Sequence, residues 1–99
     1  MPNFLKTSTQ GAAPVALSDV TKNYRKCTII ACKALTGPTA APNTGVVYLG
    51  RSATANQQPL EMQPGDERSF DAAPGGMGDL AGLFLKVATT GDGVVVEYT

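Results

Sequence analysis

The stretch LFLKVATTGDGVVVEY, residues 83–98, decides the fold class of this chain. Apolar residues alternate from Leu83 through Leu85 to Val87, and a run of β-branched residues follows from Val94. Alternation with a period of two is typical of a strand with one buried face. Because a short Gly-Asp-Gly turn separates the two runs, the sequence predicts that they pair as a β-hairpin.

Upstream of this stretch the chain repeats the same kind of pattern, and helical periodicity is almost absent. The run CTIIACKAL, residues 27–35, predicts a strong strand, and residues 17–26 have at most one short helical turn because their residues are poor helix formers. Pro64 followed by Gly65 predicts a tight turn. Further strands are predicted at residues 13–17, at an edge because of Pro14, and at 46–50, 60–63 and 67–71.

These runs predict an all-β fold, a small antiparallel β-sandwich or a jelly-roll-like barrel with an extended N-terminal arm. The length of 99 residues fits one domain. We expect the arm to span residues 1–12, which are mostly small and polar, and the domain to span residues 13–99. An arm of this composition either orders against a neighbouring molecule or frays.

Charge is scarce and unevenly distributed along the chain. Charged residues make up 16 % of the sequence, against about 25 % in a typical globular protein. Residues 1–50 carry a net charge of +4 and residues 51–99 a net charge of −4. This asymmetry favours head-to-tail contact between copies if the halves separate in space.

No apolar run approaches the roughly 18 residues of a membrane span, and no secretory signal is recognisable, so we expect synthesis and retention in a cytoplasm.

The sequence offers little catalytic chemistry. It has no histidine, which is the usual general base and the commonest metal ligand. Cys27 and Cys32 lack the partner pair of a zinc site, and we interpret them as buried thiols. Asp92, between two glycines, suits a hairpin turn better than a calcium site. We therefore expect no catalytic residue, no metal, no cofactor, no small-molecule substrate and no enzymatic activity.

One basic cluster, residues 22–26, surrounds the aromatic Tyr24. Nucleic-acid binding combines such charges with stacking rings, but three charges in a protein of zero net charge support only weak non-specific affinity. We favour a solvated turn, or contact with an acidic neighbouring subunit, and expect no nucleic-acid or membrane partner.

Residues 27–99 resemble a known group of proteins. The strand TIIACKAL is followed by NTG at 43–45 with VVYLG at 46–50, then by PL at 59–60 with PGDE at 64–67. DL at 79–80 then precedes LFLKVATTGDGVVVEY. This order is similar to the pattern NTG-x-VYVG … PL-x-PG(D/E) … DL-x-LYV … G-x-V-x-V-x-Y of small virion structural proteins of tailed bacteriophages. The chain departs from that pattern at Leu49 and Arg51 and in the longer AAPGGMG loop.

The resemblance implies a small β-sandwich of the head decoration (cement) or head-fibre type, and we favour a capsid decoration protein located on the virion surface. Its partners would be the major capsid protein and further copies of itself, with a trimer favoured. The expected contacts come from the N-terminal arm, from the basic cluster and from Arg51, which departs from the pattern. The candidate partner-binding residues are Phe4, Leu5, Lys6, Lys22, Tyr24, Arg25 and Arg51.

Two alternatives remain open. The first is another virion component, in the neck, tail or baseplate or at a fibre base. The second is a carbohydrate-binding β-sandwich for host attachment, which needs exposed aromatic side chains in a groove.

Overall fold

A computed structural model describes residues 3–8, 14–18, 20–33, 42–54, 57–72, 78–89 and 91–99. Over these ranges the chain forms ten strands and one short 3₁₀ helix, Leu80–Gly82. In chain order the strands are β1 (Asn3–Ser8), β2 (Val15–Ala16), β3 (Asn23–Tyr24), β4 (Lys26–Ile30), β5 (Val47–Gly50), β6 (Leu60–Met62), β7 (Glu67–Asp71), β8 (Gly78–Asp79), β9 (Phe84–Val87) and β10 (Gly93–Tyr98). The all-β prediction is confirmed. The helical turn considered for residues 17–26 is absent from the described part of that segment, which contains β3 instead.

The strands form two four-stranded sheets and one small sheet, and every pair is antiparallel. The first sheet has the order β1-β10-β4-β7, and the second has the order β2-β9-β5-β6. Strands β3 and β8 form the small third sheet. One buried cluster contains side chains from both large sheets, so these sheets pack as a sandwich.

The core follows the period-two pattern of the sequence. In β4, Cys27 and Ile29 are buried while Thr28 and Ile30, which alternate with them, are partly exposed. The second sheet contributes the buried side chains of Val47, Leu49, Met62, Leu85 and Val87. Each fully buried aliphatic side chain of this kind contributes roughly 1.5–3 kcal/mol to folding.

The predicted hairpin of β9 with β10 is wrong. Strand β9 lies between β2 and β5 in the second sheet, whereas β10 lies between β1 and β4 in the first. The connection therefore crosses from one sheet to the other. A Gly-Asp-Gly sequence suits a sharp bend of either kind, and Gly91 has a φ of 93°, which favours glycine. Local turn chemistry does not specify which sheet the next strand joins.

Part of the predicted N-terminal arm is a strand of the first sheet. Strand β1 pairs with β10 from Asn3 opposite Tyr98 to Ser8 opposite Gly93. The structure thus includes residues 3–8 in the sandwich rather than outside a domain that begins at residue 13. Residues 9–13 lie outside the described residues.

Strand β4 ends at Ile30, earlier than the run 27–35 predicts. The N–H of Ala31 donates to the carbonyl of Asp66, and Cys32 forms an isolated bridge with Pro42. Residues 34 and 35 lie outside the described residues. Both cysteines are buried thiols, as the sequence predicts.

The predicted Pro64–Gly65 turn is confirmed and joins the two large sheets. The N–H of Asp66 donates to the carbonyl of Gln63 at 2.9 Å, and Gly65 has a φ of 87°. This turn leads from β6, at one edge of the second sheet, to β7, at one edge of the first. The two edge strands therefore lie on the same side of the sandwich.

No helix of the described ranges is long and apolar enough to cross a membrane.

Candidate docking site

A polar junction, formed by Asn43, Thr44, Gly45, Asp92 and Gly93, connects two loops at one end of the sandwich. The carboxylate of Asp92 accepts hydrogen bonds from the N–H of Thr44 at 2.9 Å and the N–H of Gly45 at 2.8 Å. The amide of Asn43 donates to the carbonyl of Gly93 at 2.8 Å and accepts from its N–H at 3.1 Å. Asp92 is fully buried, so this network replaces the water that the carboxylate loses on folding.

The junction has a structural role. Lys33 forms an ion pair with Asp92 at 3.5 Å, which compensates the buried negative charge. A Cβ on Gly45 would lie 2.8 Å from the hydroxyl oxygen of Thr89, so only glycine lets the two loops approach this closely. Both oxygens of Asp92 already accept hydrogen bonds, and among the described residues no group of three potential metal ligands is present.

A second polar contact organises the small third sheet. The carboxylate of Asp79 accepts from the N–H of Lys22 at 3.1 Å and from the N–H of Ala81 at 2.9 Å, the latter capping the 3₁₀ helix. The ring of Tyr24 packs directly against Gly78, where a Cβ would lie within 2.6 Å of ring atoms. Sequence position 78 therefore requires glycine.

Tyr24 does not belong to a contact surface, contrary to its place among the candidate partner residues. It is only 5 % exposed, because its ring fills the core between Gly78 and Cys27. Burial raises the pKa of Tyr24, and burial also raises the pKa of the Cys27 thiol. The basic cluster thus lacks an accessible aromatic ring for stacking on a base.

The other candidate partner residues belong to different parts of the fold. Phe4, Leu5 and Lys6 pair along β1 with Glu97, Val96 and Val95 of β10. Arg25 is exposed at the bend between β3 and β4, and Lys22 is half-buried. Arg51 is exposed and is the candidate residue that lies at a cavity.

That cavity is an apolar groove of about 460 Å³ on the side of the sandwich where β6 and β7 form the sheet edges. Leu49 and Leu83 form its floor, since both are buried, and Leu60 and Phe70 are partly exposed at its sides. The residues that line it are Leu49, Gly50, Arg51, Ser52, Gln57, Pro59, Leu60, Phe70 and Leu83.

Hydrogen bonds hold the loop that forms one wall of the groove. The side-chain amide of buried Gln58 donates to the carbonyls of Ser52 at 2.7 Å and Thr54 at 2.9 Å. Ser52 donates from its hydroxyl to the side chain of Gln57 at 2.7 Å. A Cβ on Gly50 would lie 2.6 Å from the carbonyl oxygen of Gln57, so the loop packs directly on the β5 backbone. The wall is therefore preformed.

The positive and negative side chains near the groove point to different faces of their strands. Arg51 is the one charged residue among those that line it. In β7, Arg68 pairs with Ile29 and Phe70 pairs with Cys27, so Arg68 shares a sheet face with Phe70. Strand alternation directs Glu67 and Asp71 to the opposite face of β7.

Strand β6 follows the same rule. Met62 is fully buried, so Glu61 beside it points away from the interior. The mouth of the groove is accordingly apolar and cationic.

Sequence reasoning identified Arg51 and missed Leu60, Phe70 and Leu83 as parts of one site. These residues belong to three separate strand regions, and the groove exists only because β6 and β7 edge different sheets on the same side. The available signal in the sequence was the apolar Leu60 next to Pro59.

No family model matches this chain, and searches of curated proteins and of solved structures also gave no match.

Proposed function

We propose that this protein is a structural component of a tailed-bacteriophage head, a decoration protein that binds the outside of the assembled shell and stabilises contacts between coat subunits. The observation that carries the proposal is the sequence pattern of residues 27–99, which resembles that of small phage virion proteins. A protein that binds only the assembled lattice stabilises it by mass action and needs a rigid shape and contact area.

The roles of the pattern residues support this interpretation. Asn43, Thr44 and Gly45 bind the Asp92 loop, and Asp79 caps the 3₁₀ helix. Leu80 is fully buried. Residues of this kind specify a scaffold, so different surfaces can be carried on the same pattern.

The surface composition also supports docking. Charged residues are scarce, and the apolar groove at Arg51 offers a pocket with one cationic side chain. Among the described aromatic side chains Phe70 alone lines the groove, and it is partly buried, whereas a carbohydrate site needs exposed aromatic rings in its groove. This favours protein docking over the carbohydrate-binding alternative. Self-association into a symmetric oligomer remains part of the proposal.

The test measures copy number and shell stability. Quantitative mass spectrometry of purified particles should find hundreds of copies per head, whereas about six to twelve copies would indicate a neck or tail ring. Recombinant protein added to expanded heads that lack it should bind and raise their melting temperature, with unexpanded heads as the control. Absence of the protein from particles, or equal melting with and without it, would overturn the proposal.

A further inference from the structure

We propose that the apolar groove binds an extended segment of a partner protein in which one large apolar side chain is flanked by carboxylates. This deepens the proposed function, because the segment would belong to the coat protein. It rests on that function only for the source of the segment.

The apolar part of the segment follows from the lining of the groove. Leu49, Leu60, Phe70 and Leu83 present aliphatic and aromatic surface from both sheets. The volume of about 460 Å³ lies within the range of ligand sites and accommodates a leucine or phenylalanine side chain. Inserting such a side chain would remove both apolar surfaces from water, which contributes roughly 25 cal/mol for each Å² buried.

The carboxylates follow from the charges. Arg51 lines the groove, is exposed, and makes no ion pair with any described carboxylate. Arg68, exposed on the same face as Phe70, donates within the described part of the chain only to the carbonyl of Glu67, at 3.1 Å. Both guanidinium groups retain free N–H donors, and guanidinium binds carboxylate in a two-pronged geometry. A cationic segment would meet the like charge of Arg51 in the groove and that of Arg68 two residues from Phe70 along β7, so these charges select against it.

The extended conformation follows from the position of the groove. It lies along the edges of β6 and β7, where a chain in strand conformation presents alternate side chains to one surface. Charges on β7 and Pro59 beside β6 disfavour full strand addition, so the inserted side chain is the main anchor. The wall held by Gln58 is preformed, which lowers the entropic cost of binding.

The experiment is an NMR titration of the full chain, isotope-labelled, with three blocked peptides. The first alternates glutamate and leucine, the second lysine and leucine, and the third glutamate and alanine. We expect saturable shifts of the groove amides with the first peptide alone, with a Kd on the order of 1 mM. Arg51→Glu should raise the Kd of that peptide at least about fivefold, because the new carboxylate repels the glutamate carboxylates of the peptide.

Arg25→Glu is the matched control, since it makes the same charge change at an exposed residue outside the groove. It should leave the affinity unchanged. A dispersed spectrum of each variant verifies folding, and Arg51→Ala replaces Arg51→Glu if the latter unfolds. Equal binding of the lysine peptide, or no saturable shift at Leu60 and Phe70, would overturn the inference. Neither result bears on shell binding, which the particle experiment measures separately.

Discussion

Asp92 joins two loops with one buried carboxylate. It accepts from two backbone N–H groups and pairs with Lys33, while Asn43 completes the junction through Gly93. Hydrogen bonds to a charged group contribute about 1.5–3 kcal/mol each, and a buried donor left without its acceptor costs about as much. A single side chain thus accounts for a sizeable share of the 5–15 kcal/mol that stabilises a typical domain.

We expect Asp92→Ala to lower the free energy of unfolding by about 3 kcal/mol, because the N–H groups of Thr44 and Gly45 lose their acceptor. Urea denaturation followed by circular dichroism measures the change. Asp71→Ala, at an exposed aspartate, is the control and should change stability by no more than about 0.5 kcal/mol. Similar losses in the two variants would show that the junction is not a special source of stability.

Strand β1 covers one edge of β10, the strand that contains Val94, Val95 and Val96. All three valines are buried, and β10 has β4 as its other neighbour. Without β1 the backbone of β10 would form an open, apolar edge, which is the usual template for aggregation. The N-terminal strand therefore has a role in the fold itself.

Deletion of residues 1–8 should lower the free energy of unfolding by more than about 2 kcal/mol, because several ladder hydrogen bonds are lost at about 0.5–1.5 kcal/mol each. It should also promote self-association, which sedimentation velocity detects. Deletion of residues 1 and 2 alone leaves β1 complete and is the control. A truncated chain that is as stable as the full chain and sediments as the same species would contradict the pairing of β1 with β10.

The two large sheets share one core, so a group that titrates inside it affects the stability of the whole molecule. Burial raises the pKa of the Cys27 thiol from its ordinary value of 9.0 and that of the Tyr24 phenol from 10.0. The folded state therefore holds these protons more tightly than the unfolded state does. The resulting contribution to stability is complete below the unfolded pKa values and is lost as pH rises through the raised ones.

We expect the free energy of unfolding to be nearly constant from pH 7 to about pH 8.5 as far as these two groups are concerned, and to fall above about pH 9. Urea titrations at pH 7, 9 and 10 measure it. The double variant Cys27→Ala with Tyr24→Phe should be less stable at pH 7 but should lose less stability between pH 7 and pH 10. An equal decline in both proteins would assign the loss to other groups.

Local patterns in the sequence predicted most of the longer strands and the Pro64–Gly65 turn, but they assigned β1 to an arm and missed β3 and β8. The run CTIIACKAL predicted a strand, and Pro64 with Gly65 specified a turn, because both signals depend on neighbours within a few residues. Arg51 was a candidate contact residue because it departs from the phage pattern, and nothing local connects it with Phe70.

Which strands share a sheet depends on long-range packing, which no local pattern specifies. The stretch 83–98 contains two strands and a bend in either case, whether the bend closes a hairpin or crosses between the sheets. In the crossing, Asp92 accepts hydrogen bonds from Thr44 and Gly45, which lie 48 and 47 positions away in sequence. Contacts between distant segments also produce the burial of Tyr24 and the groove beside Arg51. Each forms from segments distant in sequence, and the free energy of such contacts depends on how whole sheets pack rather than on any local pattern.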